Sequence, residues 1–359
     1  GQKISLSAFF DGYYLYDSKG TLMWRLRDPY AGFGEFSADG NLMLLAPDHY
    51  LSYLISSGLS PGVSGREKVS LVDTSTLHEE WNYTLDRVDY AVLSRGSGTA
   101  AIVGATRLPT PSSPPYYRPD PHCGKQKLLV VTDRKGTELL NLKFGERGTD
   151  PDSSQFGCEL DSASAPSISY DGRYVAVGDW SDVSSWVYFV DLDSGKAWNK
   201  TMADAVNYVA LSSNGKVLAA AGPDRLNLFN ENGTLLWSAA LRELSSPRLF
   251  VSDSGEYLAV AGGSPEDARI MLFDGSGKEL WSFQGPHGVA AFAVDKDFSR
   301  FVVGDLKGAV YILDRSGTAS SRSIDSEIRS VAVGGEPGTI VAVGDDNIMY
   351  VMNAETNLL

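Results

Sequence analysis

Cysteine is almost missing from this chain: Cys123 and Cys158 are the only two in 359 residues. That count alone fits a cytosolic protein with free thiols as well as a secreted one with a single bridge. Basic runs are missing too. The 31 Lys and Arg are scattered against 45 Asp and Glu, and the net charge is −14. Phosphate-backbone binding needs a basic face, so no nucleic-acid partner is expected. The longest apolar stretches are about six residues, far short of the roughly twenty a membrane helix requires, so no membrane span is expected. No helical period runs anywhere. Gly-x-Ser-x-Gly, phosphate-loop and His-Glu-x-x-His patterns do not occur. The histidines His49, His78, His122 and His287 have no metal-ligand spacing with another His, Cys or Asp. No signal peptide is read at Gly1, which fits a mature or trimmed chain as well as one that never carried a leader.

What is present is a motif that returns about every forty residues, the mark of a repeat array. Its clearest copy is Asn207 to Gly215, Lys216 to Gly222, Arg225 to Asn230 and Asn232 to Trp237. Four short apolar runs are punctuated there by Gly, Asn and Asp. The first run ends in Ser-x-Asp/Asn-Gly, as at Ser37–Gly40, Ser169–Gly172, Ser212–Gly215 and Ser252–Gly255, with looser forms at Ser94–Gly98, Asp295–Asp297 and Gly334–Gly338. Such pairs supply the positive φ of tight hairpins. The second run is small and continuous, as in Tyr174–Gly178 and Tyr257–Gly262, which suits a strand buried on both faces. The third ends in Asp or Asn, and the fourth often carries Trp, as at Trp24, Trp81, Trp237 and Trp281.

Four strands per unit without a helical period predict an all-β propeller as a single domain over residues 1–359. We label the strands of a unit a to d, from the axis outward. Counting third strands gives eight blades, the preferred number; counting complete innermost strands gives seven. Residues 1–30 hold only strands b, c and d, and residues 325–359 only a, b and c. The expectation is a ring closed by its amino- and carboxy-terminal strands.

The Asp-x-x-Gly-x-x-Leu-Trp pieces, Asp17 to Trp24, Asn230 to Trp237 and Asp274 to Trp281, resemble the PQQ-like and WD40-like repeats of prokaryotic β-propellers, and the resemblance covers the whole chain. The Gly-His and Trp-Asp dipeptides of eukaryotic WD40 repeats are missing. Quinoprotein dehydrogenases that share the repeat bind their cofactor on the axis, which would imply a vicinal cysteine pair and an Asp-bound calcium site. Neither motif is found here, and Cys123 and Cys158 are far apart. No cofactor and no enzyme activity are therefore expected. The chain is more similar to non-catalytic extracytoplasmic propellers, cell-surface proteins among them.

The long insertions are 47–68, 105–126, 146–163 and the shorter 179–185. The first, second and fourth read as b–c loops and the third as a d–a linker, which places all four on one face, over blades 2 to 4. Long loops on a rigid scaffold are where binding concentrates, although surface insertions also drift in length at little cost. Within the Pro-rich loop that ends at Cys123, Tyr116, Tyr117 and Arg118 are interface-anchoring residue types. The alternative is a loop packed down on its own scaffold. Cys123 and Cys158 fall on the same face and in adjacent blades, so a bridge between them is expected, against the alternative of two free thiols. Three sequons, Asn82-Tyr-Thr84, Asn199-Lys-Thr201 and Asn232-Gly-Thr234, fall on the fourth strand or the turn before it, a glycan-compatible rim. Asp191 to Gly195 faintly resembles a calcium loop and reads better as a c–d turn.

The resulting expectation is a non-catalytic scaffold, extracellular or on the cell surface, that holds a protein or glycan partner through its looped face. Self-assembly with copies of itself into a surface layer or filament is the alternative, because cut-off strands invite exchange. A quinone-dependent or hydrolytic enzyme is disfavoured.

Overall fold

A computed structural model describes residues 3–8, 11–17, 21–28, 31–47, 67–107, 125–144, 162–180, 185–241, 244, 247–264, 266–285, 287–295, 297–334, 339–346 and 348–353. No helix occurs among them. The chain divides into two compact units, Gly1–Met202 and Ala203–Leu359.

The first unit holds four antiparallel sheets. β1 (Lys3–Ala8), β2 (Gly12–Asp17) and β3 (Leu22–Arg27) make the first. β4 (Ala31–Phe36), β5 (Leu42–Pro47), β6 (Glu67–Asp73) and β7 (His78–Leu85) make the second. The third is β8 (Arg87–Leu93), β9 (Ala100–Arg107), β10 (Lys125–Thr132) and β11 (Glu138–Phe144). The fourth contains β12 (Ser162–Ala163), β13 (Ser167–Ile168), β14 (Tyr174–Trp180), β15 (Ser185–Asp191) and β16 (Lys196–Met202).

The second unit holds four more. The fifth sheet is β17 (Tyr208–Leu211), β18 (Val217–Ala221), β19 (Arg225–Asn230) and β20 (Leu235–Ala240). The sixth is β21 (Arg248–Val251), β22 (Tyr257–Ser264), β23 (Asp267–Asp274) and β24 (Glu279–Gly285). The seventh is β25 (Val289–Val294), β26 (Arg300–Asp305), β27 (Ala309–Asp314) and β28 (Ala319–Ser323), and the eighth is β29 (Ile328–Val333), β30 (Ile340–Gly344) and β31 (Met349–Met352). Strand order within each sheet follows chain order. The expected four-strand unit and the two three-stranded end sheets are both found.

The recurring turn residues act through hydrogen bonds. In the a–b turn after β17, Ser212 Oγ accepts from Val217 N–H at 3.1 Å and donates to Asn214 Oδ1 at 2.7 Å. Gly215 takes the positive φ, 69°, that closes the turn. The same serine device recurs at Ser37 and Ser169. In the seventh sheet, Asp295 replaces the serine and accepts from Ser299 N–H at 2.7 Å. Phe298 occupies the glycine position at φ 53°. That strained backbone is offset by its ring, which is buried edge-on against Phe301 with centroids 5.9 Å apart.

The fourth sheet departs from the pattern, because its innermost strand is broken into β12 and β13. Pro166 has no N–H to give the ladder, and the backbone breaks at it. Ser164 repairs the gap. Its N–H donates to Gly178 O at 2.9 Å, and its Oγ accepts from Gly178 N–H at 2.7 Å.

Between sheets the core is built from second- and third-strand side chains. Leu44, Val69, Leu71, Ile102 and Val130 join the second sheet to the third, and Val103, Leu129, Val175 and Val177 join the third to the fourth. In the second unit, the fifth to eighth sheets are joined the same way. The tryptophans of the fourth strands add a latch. Trp237 Nε1–H donates to Gly275 O at 3.1 Å in the c–d turn of the sixth sheet, and Trp281 Nε1–H donates to Arg315 O at 2.8 Å in that of the seventh. Each indole lies against a turn glycine, Gly277 or Gly317. This contact accounts for the spacing between Asp, Gly and Trp in the repeat.

The c–d turns are capped by an acidic or amide side chain. Asp274 Oδ1 accepts from Ser276 N–H at 2.9 Å and Lys278 N–H at 3.1 Å, and Asn230 Oδ1 does the same for Asn232 and Thr234. Asp191 caps in the same way, accepting from Asp193 N–H at 3.1 Å, so the Asp191–Gly195 segment is a c–d turn. Serine hydroxyls donating to Asp39, Asp73, Asp274 and Asp314 hold these carboxyls below the usual carboxylate range. A depressed folded-state value contributes stability that is present above the unfolded value of about 3.9 and is lost as pH falls through the folded value. The melting temperature is therefore expected to be flat near neutrality and to drop below about pH 4. Because Asn230 caps its turn with an amide, Asp274→Asn should melt like the parent at pH 7 and lose part of the acid dependence. Identical acid profiles for the two proteins, measured by circular dichroism, would show that the cap is not titrating.

Candidate binding face

Two kinds of connection leave the same end of the sheets: those from the second strand to the third, and those from the fourth strand to the next sheet. In the first unit, β5–β6, β9–β10 and β14–β15 are of the first kind and β11–β12 of the second. The described strand ends that flank the four long insertions thus lie at one end of the second to fourth sheets. Residues 48–66, 108–124, 145–161 and 181–184 lie outside the described residues. With them go Tyr116, Tyr117, Arg118 and both members of the expected Cys123–Cys158 bridge. The strand ends that flank them are described.

These ends are tied together by charged groups with little exposure. Glu67, the first residue of β6, accepts from Val88 N–H of the next sheet at 2.6 Å. At the far end of β8, Glu35 accepts from Leu93 N–H at 2.8 Å, and burial pushes its carboxyl up. Two carboxylates of the second sheet therefore hold both ends of the third sheet's innermost strand. Backbone N–H groups there need partners, and charged acceptors make the stronger bonds.

Next to Val88, Arg87 is buried with Asp89, Nε to Oδ1 at 2.6 Å and Nη2 to Oδ2 at 2.8 Å. Thr106 Oγ1 donates to Asp86 at 3.1 Å, and Gln126 Nε2 donates to Phe144 O at 3.0 Å across the root of the β11–β12 connection. Lys127, at the start of β10, forms an ion pair with Asp179, at the end of β14, and their side chains are only 9% and 5% exposed. That pair joins the third sheet to the fourth at the roots of two long insertions. The result is a polar floor of ion pairs and hydrogen bonds at the strand ends, suited to carrying loops in fixed positions. Among the described residues no group of three or more His, Cys, Asp or Glu is placed to hold a metal ion.

Sequence reasoning missed Glu35, Glu67, Arg87, Lys127 and Asp179. One signal was visible: Gly-Asp recurs at the end of the second strand as Gly178-Asp179, Gly304-Asp305 and Gly344-Asp345. The structure gives each copy a different task. Asp179 takes Lys127. Asp305, fully buried, caps its own b–c turn by accepting from Lys307 N–H at 2.9 Å and Ala309 N–H at 2.8 Å. Asp345 pairs with Arg329. The pattern marks the position and not the partner.

The three sequon asparagines are exposed, Asn82 on β7, Asn199 on β16 and Asn232 in the turn before β20. Asn82 Nδ2 donates to Glu79 Oε1 at 2.6 Å.

No protein-family model and no curated protein matches the chain. Solved structures do. It is similar to BamB from Moraxella catarrhalis at 14% identity and TM-score 0.58, over 98% of both chains. It is similar to Sqt1 from Saccharomyces cerevisiae at 12% identity and TM-score 0.65, over 98% of this chain and 92% of that one. It is also similar to the beta-propeller domain of Cps50 (Swd1) from Myceliophteria_thermophila at 13% identity and TM-score 0.53, over 90% and 95%. Identities this low speak to fold alone. Together with the ordered antiparallel sheets and their shared turn chemistry, they identify the fold as a β-propeller.

Proposed function

We propose that residues 1–359 form one non-catalytic propeller domain, working outside the cytoplasm, that holds a protein or glycan partner through the segments 47–68, 105–126 and 146–163. The observation that carries this reading is that the strand ends flanking the long insertions share one end of three neighbouring sheets. Those strand ends are fixed by Glu67, the Arg87–Asp89 pair and the Lys127–Asp179 pair. A rigid platform under variable loops is the usual arrangement of a recognition surface. Tyr116, Tyr117 and Arg118 supply the anchoring residue types, and a Pro-rich segment loses little entropy on docking. A Cys123–Cys158 bridge would tie two of these segments in an oxidising compartment.

Chemical cross-linking on intact native cells, followed by peptide mapping, tests the proposal. The partner's cross-links are expected mainly within those three segments, and deletion of residues 108–121 should remove most of them while the melting temperature stays near that of the parent. Undiminished partner capture after the deletion would move the function elsewhere. The candidates would then be the opposite end of the sheets or the outer edge of β31, where Met349 is half exposed and copies of the chain have a strand edge to share.

A further inference from the structure

The outermost strands of the sheets differ in one property that bears on how their edges are protected. An edge strand presents unpaired N–H and C=O groups to other chains, and charged side chains are the common guard against unwanted pairing. Of the seven fourth strands described, six carry such charges, for instance Arg25, Glu79, Glu138, Lys196, Glu279 and Arg322, one from each. β20 has none: it reads Leu-Leu-Trp-Ser-Ala-Ala. It also opens on Leu235 and Leu236, 50% and 48% exposed. Among the described residues no strand pairs with its outer edge. β31 is uncharged too, with Met349 50% exposed, but it is a third strand; of the fourth strands β20 is the least protected edge described.

The turn that delivers the chain into β20 contains the sequon Asn232-Gly233-Thr234. Both Asn232 and Thr234 are exposed. The turn is fixed by Asn230, whose Oδ1 accepts from the backbone N–H groups of Asn232 and Thr234 at 3.0 and 2.9 Å. The side chain of Asn232 is therefore not needed to hold the turn. The other two sequons sit on strands that have charges of their own, Glu79 and Glu80 around Asn82, Lys196 and Lys200 around Asn199.

We propose that Asn232 is an N-glycan acceptor and that its glycan guards the outer edge of β20 in place of the charges the strand lacks. A bulky, hydrated sugar three residues from Leu235 covers the apolar start of the strand and keeps a second sheet edge at a distance. The donor is an oligosaccharide linked through diphosphate to a membrane lipid, used by an oligosaccharyltransferase. Asn232 Nδ2 bonds to the anomeric carbon of the sugar, the bond from that carbon to the diphosphate oxygen breaks, the lipid diphosphate leaves, and one Nδ2 proton passes to the transferase. Nothing is oxidised or reduced. The proposal rests on the extracytoplasmic location above.

The test has two arms. In the first, glycopeptide mass spectrometry is run on the protein from its native cells, with its location fixed by fractionation, and on the chain secreted through an N-glycosylating host. The expected result is glycan on the Asn232 peptide, retained in Thr234→Ser and lost in Thr234→Ala. An unmodified Asn232 on protein recovered outside the cytoplasm overturns the acceptor assignment and leaves the location standing. Protein found only in the cytoplasm overturns the location, and the sequon then stands or falls on the secreted chain. In the second arm, Asn232→Gln is expected to keep the parent's melting temperature yet shift from monomer to aggregate on concentration, and adding Leu236→Lys should restore the monomer. An Asn232→Gln protein that stays as monomeric as the glycosylated parent overturns the guarding role.

Discussion

Replacing Lys127 with alanine is expected to destabilise the protein by about 3–5 kcal/mol, the typical cost of leaving one member of a buried ion pair without its counter-charge. Lys127 and Asp179 are nearly inaccessible to water, and the alanine would leave the Asp179 carboxylate to ionise in a poorly solvated site. Removing both charges should be milder than removing one. Lys127→Met combined with Asp179→Leu is expected to recover part of the loss, since apolar replacements of similar volume often substitute for buried pairs. Urea unfolding of Lys127→Met, of Asp179→Leu and of the double variant gives the coupling directly. A single variant within about 0.5 kcal/mol of the parent, the range of an ordinary surface substitution, would mean that water reaches the pair and that it does not fasten the third sheet to the fourth. If it does fasten them, partner binding should weaken in the single variants at temperatures where the protein is still folded, because the insertion roots loosen first.

Gly277→Ala is the second large effect, with an expected loss of about 2–4 kcal/mol from positive-φ strain and overpacking combined. The residue sits at φ 88°, and a Cβ there would come within 2.7 Å of the Trp237 indole. Neither problem relaxes easily, because the indole is held by its bond to Gly275 O and by packing against Phe273, centroids 5.7 Å apart. Gly195→Ala is a built-in control: it has a similar positive φ, 68°, but no atom within 4 Å of the added Cβ, so only the backbone part of the cost remains. Equal melting temperatures for the two variants would show that the tryptophan contact contributes nothing.

Most of the fold was legible in the sequence because the repeat writes its turns in residues with one job each. Serine accepting from the N–H five residues on, glycine at positive φ, and Asp or Asn capping its own turn are local devices, and local devices leave local patterns. The break at Pro166 was open to the same reading, but its repair by Ser164 depends on a neighbour in the sheet. The candidate face was half legible. Insertion lengths and strand labels put the long loops at one end, whereas the groups that brace them pair across sheets, Glu67 with Val88 and Lys127 with Asp179, at separations of 21 and 52 residues. Nothing in the spacing of a single sequence encodes such partners. Phe298 shows the converse limit, since a buried ring there carries a backbone conformation that residue type alone would assign to glycine.

The tryptophan latch has a direction. In both copies with a bonded indole, the donor belongs to one sheet and the acceptor carbonyl to the sheet that follows it in the chain. The sixth sheet carries both a plug, Trp281, on its outgoing side and a socket, Gly275 O, on its incoming side. Duplication or loss of one whole unit leaves each remaining plug facing a socket, so the number of units can change without new contacts having to be invented. An array joined this way can lengthen or shorten in single steps over evolutionary time, and its insertions are free to diversify at the opposite end of the sheets from the turns that do the joining.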